Sequence, residues 1–162
     1  MKKYNPAFFG AFLAMALILS YVESLIPFYF GIPGVKLGLT NLVIVIFLYL
    51  YGFKQALVLS CSRVLLAGFM FGNLYSILYS MAGGVLSLIM MCLVKKTRKF
   101  SIAGVSICGG IFHNVGQIIV AMIVVENMSI MYYMPILLIS GVVTGCLIGV
   151  ASSEVMKRIP SR

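Results

Sequence analysis

Long apolar runs, broken only by glycine, proline or short basic clusters, recur from Pro6 to Met156. Such runs leave little choice of solvent. The chain is 62% hydrophobic and 9% charged, whereas soluble domains carry about 25% charged residues. A water-soluble globule of this length would still expose roughly a third of its surface, and there is too little polar surface to cover it. The chain is therefore expected to be an integral membrane protein. Outer-membrane strands would show alternating segments of about ten residues, and none occurs. The expected class is all-α, a polytopic helical bundle forming a single transmembrane domain over 1–162.

Six spans are expected, at about 6–26, 38–51, 55–71, 74–94, 101–125 and 131–156. A straight span needs about 20 residues. The second and third fall short, which leaves open whether one or both are broken, tilted or partly re-entrant, and whether the elements number five or seven. The start, "MKKYNPAFFGAFLAMALILSYVES", resembles a signal peptide. No clear small-x-small cleavage site precedes Glu23 and further spans follow, so it reads as a retained first helix.

The net charge of +9 invites a nucleic-acid reading. Its distribution favours another. With the N-terminus inside, Lys2, Lys3, Lys54, Lys95, Lys96, Arg98, Lys99, Lys157, Arg158 and Arg162 all fall on one side, and only Lys36 on the other. This is a positive-inside bias, and it favours an even number of spans with both termini cytoplasmic in a bacterial plasma membrane. No nucleic-acid partner is expected. Cys61, Cys92, Cys108 and Cys146 lie within apolar runs without a CxxC pair, and read as small buried packing residues.

Small residues recur at helix-contact spacing. The first span carries Ala7, Gly10, Ala11 and Ala14, the fourth Gly83 and Gly84, and the sixth Gly141, Gly145 and Gly149 at four-residue intervals. Such strips let backbones approach closely in lipid. They serve packing within the bundle or, for the first span especially, docking to a partner membrane protein.

Polar residues at membrane depth are the best guide to a site, because a charge at a helix centre costs about 2.5–3.5 kcal/mol on insertion scales. Arg63 lies about nine residues into the third span and stays protonated at any ordinary pH. It needs an acidic partner, carbonyls or an anionic ligand. The chain has no aspartate and three glutamates, of which Glu23, at the outer end of the first span, is the plausible partner. His113, the only histidine, and Gln117 are four apart and share a helix face, with Asn114 on the neighbouring strip. Interhelical hydrogen bonding explains any one of them. All three, level with an arginine, point to a lined cavity. One histidine with no close Cys or Asp makes a metal site unexpected, and no cofactor is implied. Pro27, Gly31, Pro33 and Gly34 keep the first outer loop irregular, a feature that lines cavities near membranes. Lys36 and Asn41 follow it, and Asn73 joins them on the same side from the loop between the third and fourth spans. Tyr29, Tyr75 and Tyr79 read as interface aromatics or pocket walls.

The segments "IPGVKLGLTNLV" (32–43), "FKQALVLSCSRVLLAGFMFGN" (53–73), "YSMAGGVLSL" (79–88) and "GVSICGGIFHNVGQ" (104–117) resemble a bacterial family of small membrane proteins labelled heptaprenyl diphosphate synthase component I, or Gx transporter. The first label implies polyprenyl elongation for menaquinone. Elongating prenyl synthases hold magnesium on aspartate-rich motifs, and this chain has no aspartate, so an enzyme is not expected. The pattern is also similar to the substrate-binding S-components of energy-coupling factor transporters. That resemblance implies six helices, a first helix docking through Ala7, Gly10, Ala11 and Ala14 on a coupling subunit, a "KLG" start to the second helix at Lys36–Gly38, and an outward pocket with the 27–36 loop as lid. The chain lacks a phosphate-cradling P-loop, so energy would come from partner ATPases or an ion gradient.

The expected function is thus substrate capture or transport, with Arg63, His113, Asn114, Gln117, Asn41, Lys36, Glu23 and Asn73 lining the site. Vitamins, flavin-like rings and isoprenoids all fit a pocket described this loosely. The alternative is a non-catalytic membrane partner of heptaprenyl diphosphate or menaquinone biosynthesis, acting through "KKTRK" (95–99).

Overall fold

The computed structural model describes residues 6–25 and 38–159. Lys36, Tyr29, the 27–36 loop and the terminal basic residues Lys2, Lys3 and Arg162 lie outside the described residues. Within them the chain forms six α-helices and no strand: α1 (Pro6–Leu25), α2 (Leu39–Tyr51), α3 (Phe53–Phe71), α4 (Leu74–Lys96), α5 (Ile102–Val125) and α6 (Met134–Arg158). A 3-10 turn, Met128–Tyr133, leads into α6. Five segments are long and apolar enough to cross a membrane, and α2 is shorter. The protein is a multi-pass membrane helical bundle.

Local chemistry sets the boundaries. Gly52 alone separates α2 from α3, at φ 92°, a left-handed backbone that glycine adopts without strain. This single residue turns the chain back on itself, so α3 starts at Phe53, two residues earlier than expected. Asn73 and Ser76 form a reciprocal capping box at the start of α4. Ser101 caps α5, accepting from the Gly104 N–H at 3.3 Å. Lys95–Lys96 and Lys157–Arg158 occupy the last turns of α4 and α6, where the helix dipole favours cations.

The short second helix is the core. Val43 to Leu48 are buried without a break, as are Thr40 and Tyr51. A helix apolar all round is one enclosed on all sides. At 1.5 Å per residue its 13 residues span only about 20 Å, against a hydrocarbon thickness of about 30 Å. It does not need to meet lipid, because α1, α3 and α6 pack around it. Phe9 and Phe12 of α1 stack against Phe47 at 6.0 and 5.1 Å, and Tyr51 lies 4.6 Å from the same ring. At its far end the Lys95 ammonium donates to the Leu48 carbonyl at 2.8 Å and sits 4.4 Å over the Tyr49 ring. That basic residue ties α4 to the end of α2.

The outer surface is the reverse. Phe69 is 78% exposed, Ile123 69% and Leu147 63%, and large exposed hydrophobics occur on every helix but α2. A patch of this extent has no counterpart on soluble monomers and faces lipid. The cysteines follow the same surface. Cys61, Cys92 and Cys108 are half-buried and Cys146 is exposed beside Leu147, so the expected burial fails for that residue. All four are free thiols.

Glycine draws the helices together. The Gly141/Gly145/Gly149 strip of α6 lies on Gly110, Ile107 and Ala103 of α5, backbone on backbone. A Cβ on Gly116 would stand 2.9 Å from the Ala82 carbonyl oxygen of α4. These strips serve internal packing. The α1 strip differs: Ala7, Gly10, Ala11 and Ala14 are all exposed, and nothing lies within 4 Å of a Cβ built on Gly10.

Candidate functional site: a polar cavity in one half of the bundle

Every helix contributes to one cavity of about 250 Å³. The end of α1 supplies Ser20, Glu23 and Ser24, and the start of α2 supplies Gly38, Thr40 and Asn41. Arg63, Val64, Ala67, Gly68 and Phe71 come from α3, with Gly72 beyond it; Ser76 and Ser80 come from α4. Gly110, His113, Asn114 and Gln117 project from the middle of α5, and Thr144 from α6. The ends of α1 and α3 and the starts of α2 and α4 lie at one face of the bundle, so the cavity occupies that half. Lys54, Lys95, Lys96, Arg98, Lys99, Lys157 and Arg158 lie at the opposite face.

Two adjacent glycines explain how Arg63 and His113 come to share a cavity. A Cβ on Gly83 would meet the His113 carbonyl oxygen at 2.7 Å and the Gln117 Cγ at 2.9 Å; one on Gly84 would meet the Ser60 hydroxyl at 3.2 Å. One glycine of α4 admits α5 and its neighbour admits α3. A side chain at 83 would wedge α5 away from α4, and one at 84 would press on the Ser60 hydroxyl of α3.

Arg63 stands ten residues along α3 from Phe53, about 15 Å at 1.5 Å per residue. Its Nε is buried, and among the described residues it has no hydrogen-bond partner. The one ion pair within 4.0 Å among them joins Lys157 to Glu154, on the surface at the other face. Glu23 acts on Arg63 electrostatically without pairing at contact distance. The Glu23 carboxylate instead accepts the Gly38 N–H, anchoring the start of α2, where Gly38 has φ 70°. An arginine is costly at this depth unless something satisfies its donors.

Other lining groups are partly committed to the protein. Ser20 and Thr40 hydroxyls share a 2.9 Å hydrogen bond between α1 and α2. The Asn114 amide donates to the Leu137 carbonyl at 2.6 Å, joining α5 to α6, and Thr144 donates to Ser140 at 2.9 Å. The side chains of Asn41, Gln117 and Ser80 make no hydrogen bond among the described residues. Among those residues no three of His, Cys, Asp and Glu converge to hold a metal.

Of the residues expected at a site, Glu23, Asn41, Arg63, His113, Asn114 and Gln117 are brought together around the cavity. Asn73 is not among its walls. Its side chain is spent on the helix, accepting from Ser76 N at 2.8 Å. Ser20, Ser24, Thr40, Ser76, Ser80 and Thr144 were not anticipated. The spacings Ser20–Ser24 and Ser76–Ser80, four residues each, were readable as polar faces, but hydroxyls are too common in membrane helices to single out.

No curated protein and no solved structure matches this chain. The family model described as heptaprenyl diphosphate synthase component I matches residues 12–155, a span that includes every residue lining the cavity. The chain therefore belongs to the heptaprenyl diphosphate synthase component I family.

Proposed function

We propose that this protein is the substrate-capturing subunit of a membrane transporter, resembling the S-components of energy-coupling factor systems. The observation that carries this reading is Arg63: a permanent cation at mid-helix, on a polar cavity, without a hydrogen bond or close ion pair among the described residues. A merely structural arginine would be expected to spend its donors on the bundle. The positive-inside rule makes the basic face cytoplasmic, in a bacterial plasma membrane, which turns the cavity outward. The exposed small-residue face of α1 (Ala7, Gly10, Ala11, Ala14) supports docking to a coupling subunit that works with ATPases.

The test is ligand retention. Protein purified in mild detergent is analysed by native mass spectrometry for a copurifying small molecule. Arg63→Ala and His113→Ala are expected to lose it while still inserting in the membrane. Retention by both variants would sink the proposal.

The family description favours a second reading, a non-catalytic membrane partner of a prenyl diphosphate synthase. The absence of aspartate from the whole chain argues against catalysis by this chain alone. That reading makes the 95–99 loop the working surface. Cross-linking of Lys99 to a soluble synthase would favour it, and cross-linking of Gly10→Cys to a membrane coupling subunit would favour the first.

A further inference from the structure

The charges on the cavity wall constrain its occupant. Among the described lining residues there is one permanent cation, Arg63, and one carboxylate, Glu23. Among the described lining residues these two charges balance. Against these described residues a ligand of net charge would leave one charge uncompensated, and an uncompensated buried charge is among the costliest things a protein can hold.

The wall charges also remain apart. Arg63 and Glu23 interact electrostatically but are not within 4.0 Å. One Glu23 oxygen takes the Gly38 N–H, and the other makes no hydrogen bond among the described residues. The guanidinium is likewise uncommitted there. A pair built only for stability would close to contact. A gap with a free acceptor on one side and free donors on the other suits a molecule carrying both signs. Asn41 and Gln117 add amides that complement either group. Size narrows the class further. At about 250 Å³ the cavity lies at the small end of ligand sites.

We propose that the cavity binds a small zwitterion of the α-amino-acid type, its carboxylate on Arg63, its ammonium towards Glu23, and its side chain against Ala67 and Phe71. This rests on the capture reading above and specifies its ligand.

The experiment uses the full chain in lipid nanodiscs, with binding read by thermal shift and equilibrium dialysis. The probes are alanine, serine, valine and phenylalanine, each beside its amine without the carboxylate and its acid without the amino group. At least one amino acid is expected to bind saturably, and deletion of either charged group to weaken binding at least about tenfold, since a charged partner is left unpaired. Arg63→Gln should erase the discrimination against the amine, and Glu23→Gln that against the acid. A purely structural role for either residue would not exchange these preferences. Melting of each variant checks that it is folded, and the wild-type panel stands without them. Acids or amines binding as tightly as the zwitterions would overturn the proposal, as would a folded wild-type protein that binds no amino acid. If an acid binds and Arg63→Gln abolishes it, the zwitterion falls and capture stands. If nothing binds and no copurifying molecule depends on Arg63, both fall.

Discussion

Replacing Gly141 by alanine is expected to loosen the bundle where α6 meets α5. The new Cβ would stand 2.8 Å from the Gly110 carbonyl oxygen, 2.9 Å from its carbon and 3.0 Å from the Ile111 nitrogen. Ordinary van der Waals contact begins at 3.4 Å, so the closest approach is about 0.6 Å too short. All three obstacles are backbone atoms, so no side chain can rotate away; a helix must move. Overpacking of this kind costs about 1–3 kcal/mol, and alanine's better helix propensity returns about 1 kcal/mol. The net loss is about 0–2 kcal/mol, and the contrast with a substitution that gains the propensity without the clash is about 1–3 kcal/mol, on the order of tenfold or more in the unfolding equilibrium. Because α5 carries His113, Asn114 and Gln117, the same shift should weaken ligand retention. The assay is reversible unfolding in mixed micelles, followed by circular dichroism against the fraction of denaturing detergent. Gly10→Ala is the control, since open space surrounds its Cβ. It should leave stability unchanged or raise it by up to about 1 kcal/mol. Equal effects of the two substitutions would refute the packing argument.

Three further outcomes are expected. Asn114→Ala removes the bond to Leu137 between α5 and α6 and should cost about 0.6–1.7 kcal/mol in the same assay; a null result would mean that the bond is replaced or absent. Asn73→Ala should cost about 1 kcal/mol through loss of the α4 cap, with faster hydrogen exchange at Ser76 and Ile77 and ligand binding unchanged. In a background lacking the four native cysteines, Lys99→Cys should resist an impermeant thiol reagent in intact cells while Asn127→Cys reacts. The opposite pattern would invert the proposed orientation.

Much of the architecture was legible because lipid is a strict solvent. Apolar length, glycine spacing and basic clusters report on it directly, so six helices and their ends were placed to within a few residues. That Glu23, Asn41, Arg63, His113, Asn114 and Gln117 would share a cavity was legible for the same reason: each is expensive at depth and is driven to the bundle interior. Asn73 stands apart from the cavity wall: an asparagine at a helix start serves the backbone as readily as a ligand, and the bond from Ser76 shows the backbone role here. The short second span was ambiguous because 13 apolar residues suit a re-entrant segment and a sheathed core helix equally.

The sequence by itself determined the solvent, the class and the depth of the polar residues, since these follow from transfer energies that act residue by residue. Only the tertiary structure decided which polar residues share a space. Convergence depends on helix rotation and separation, which Gly83, Gly110 and Gly141 set through backbone contact. It also decided that the α6 strip is consumed inside the bundle while the α1 strip faces outward. Small-residue spacing allows either outcome, and the difference lies in which neighbour comes to cover each strip.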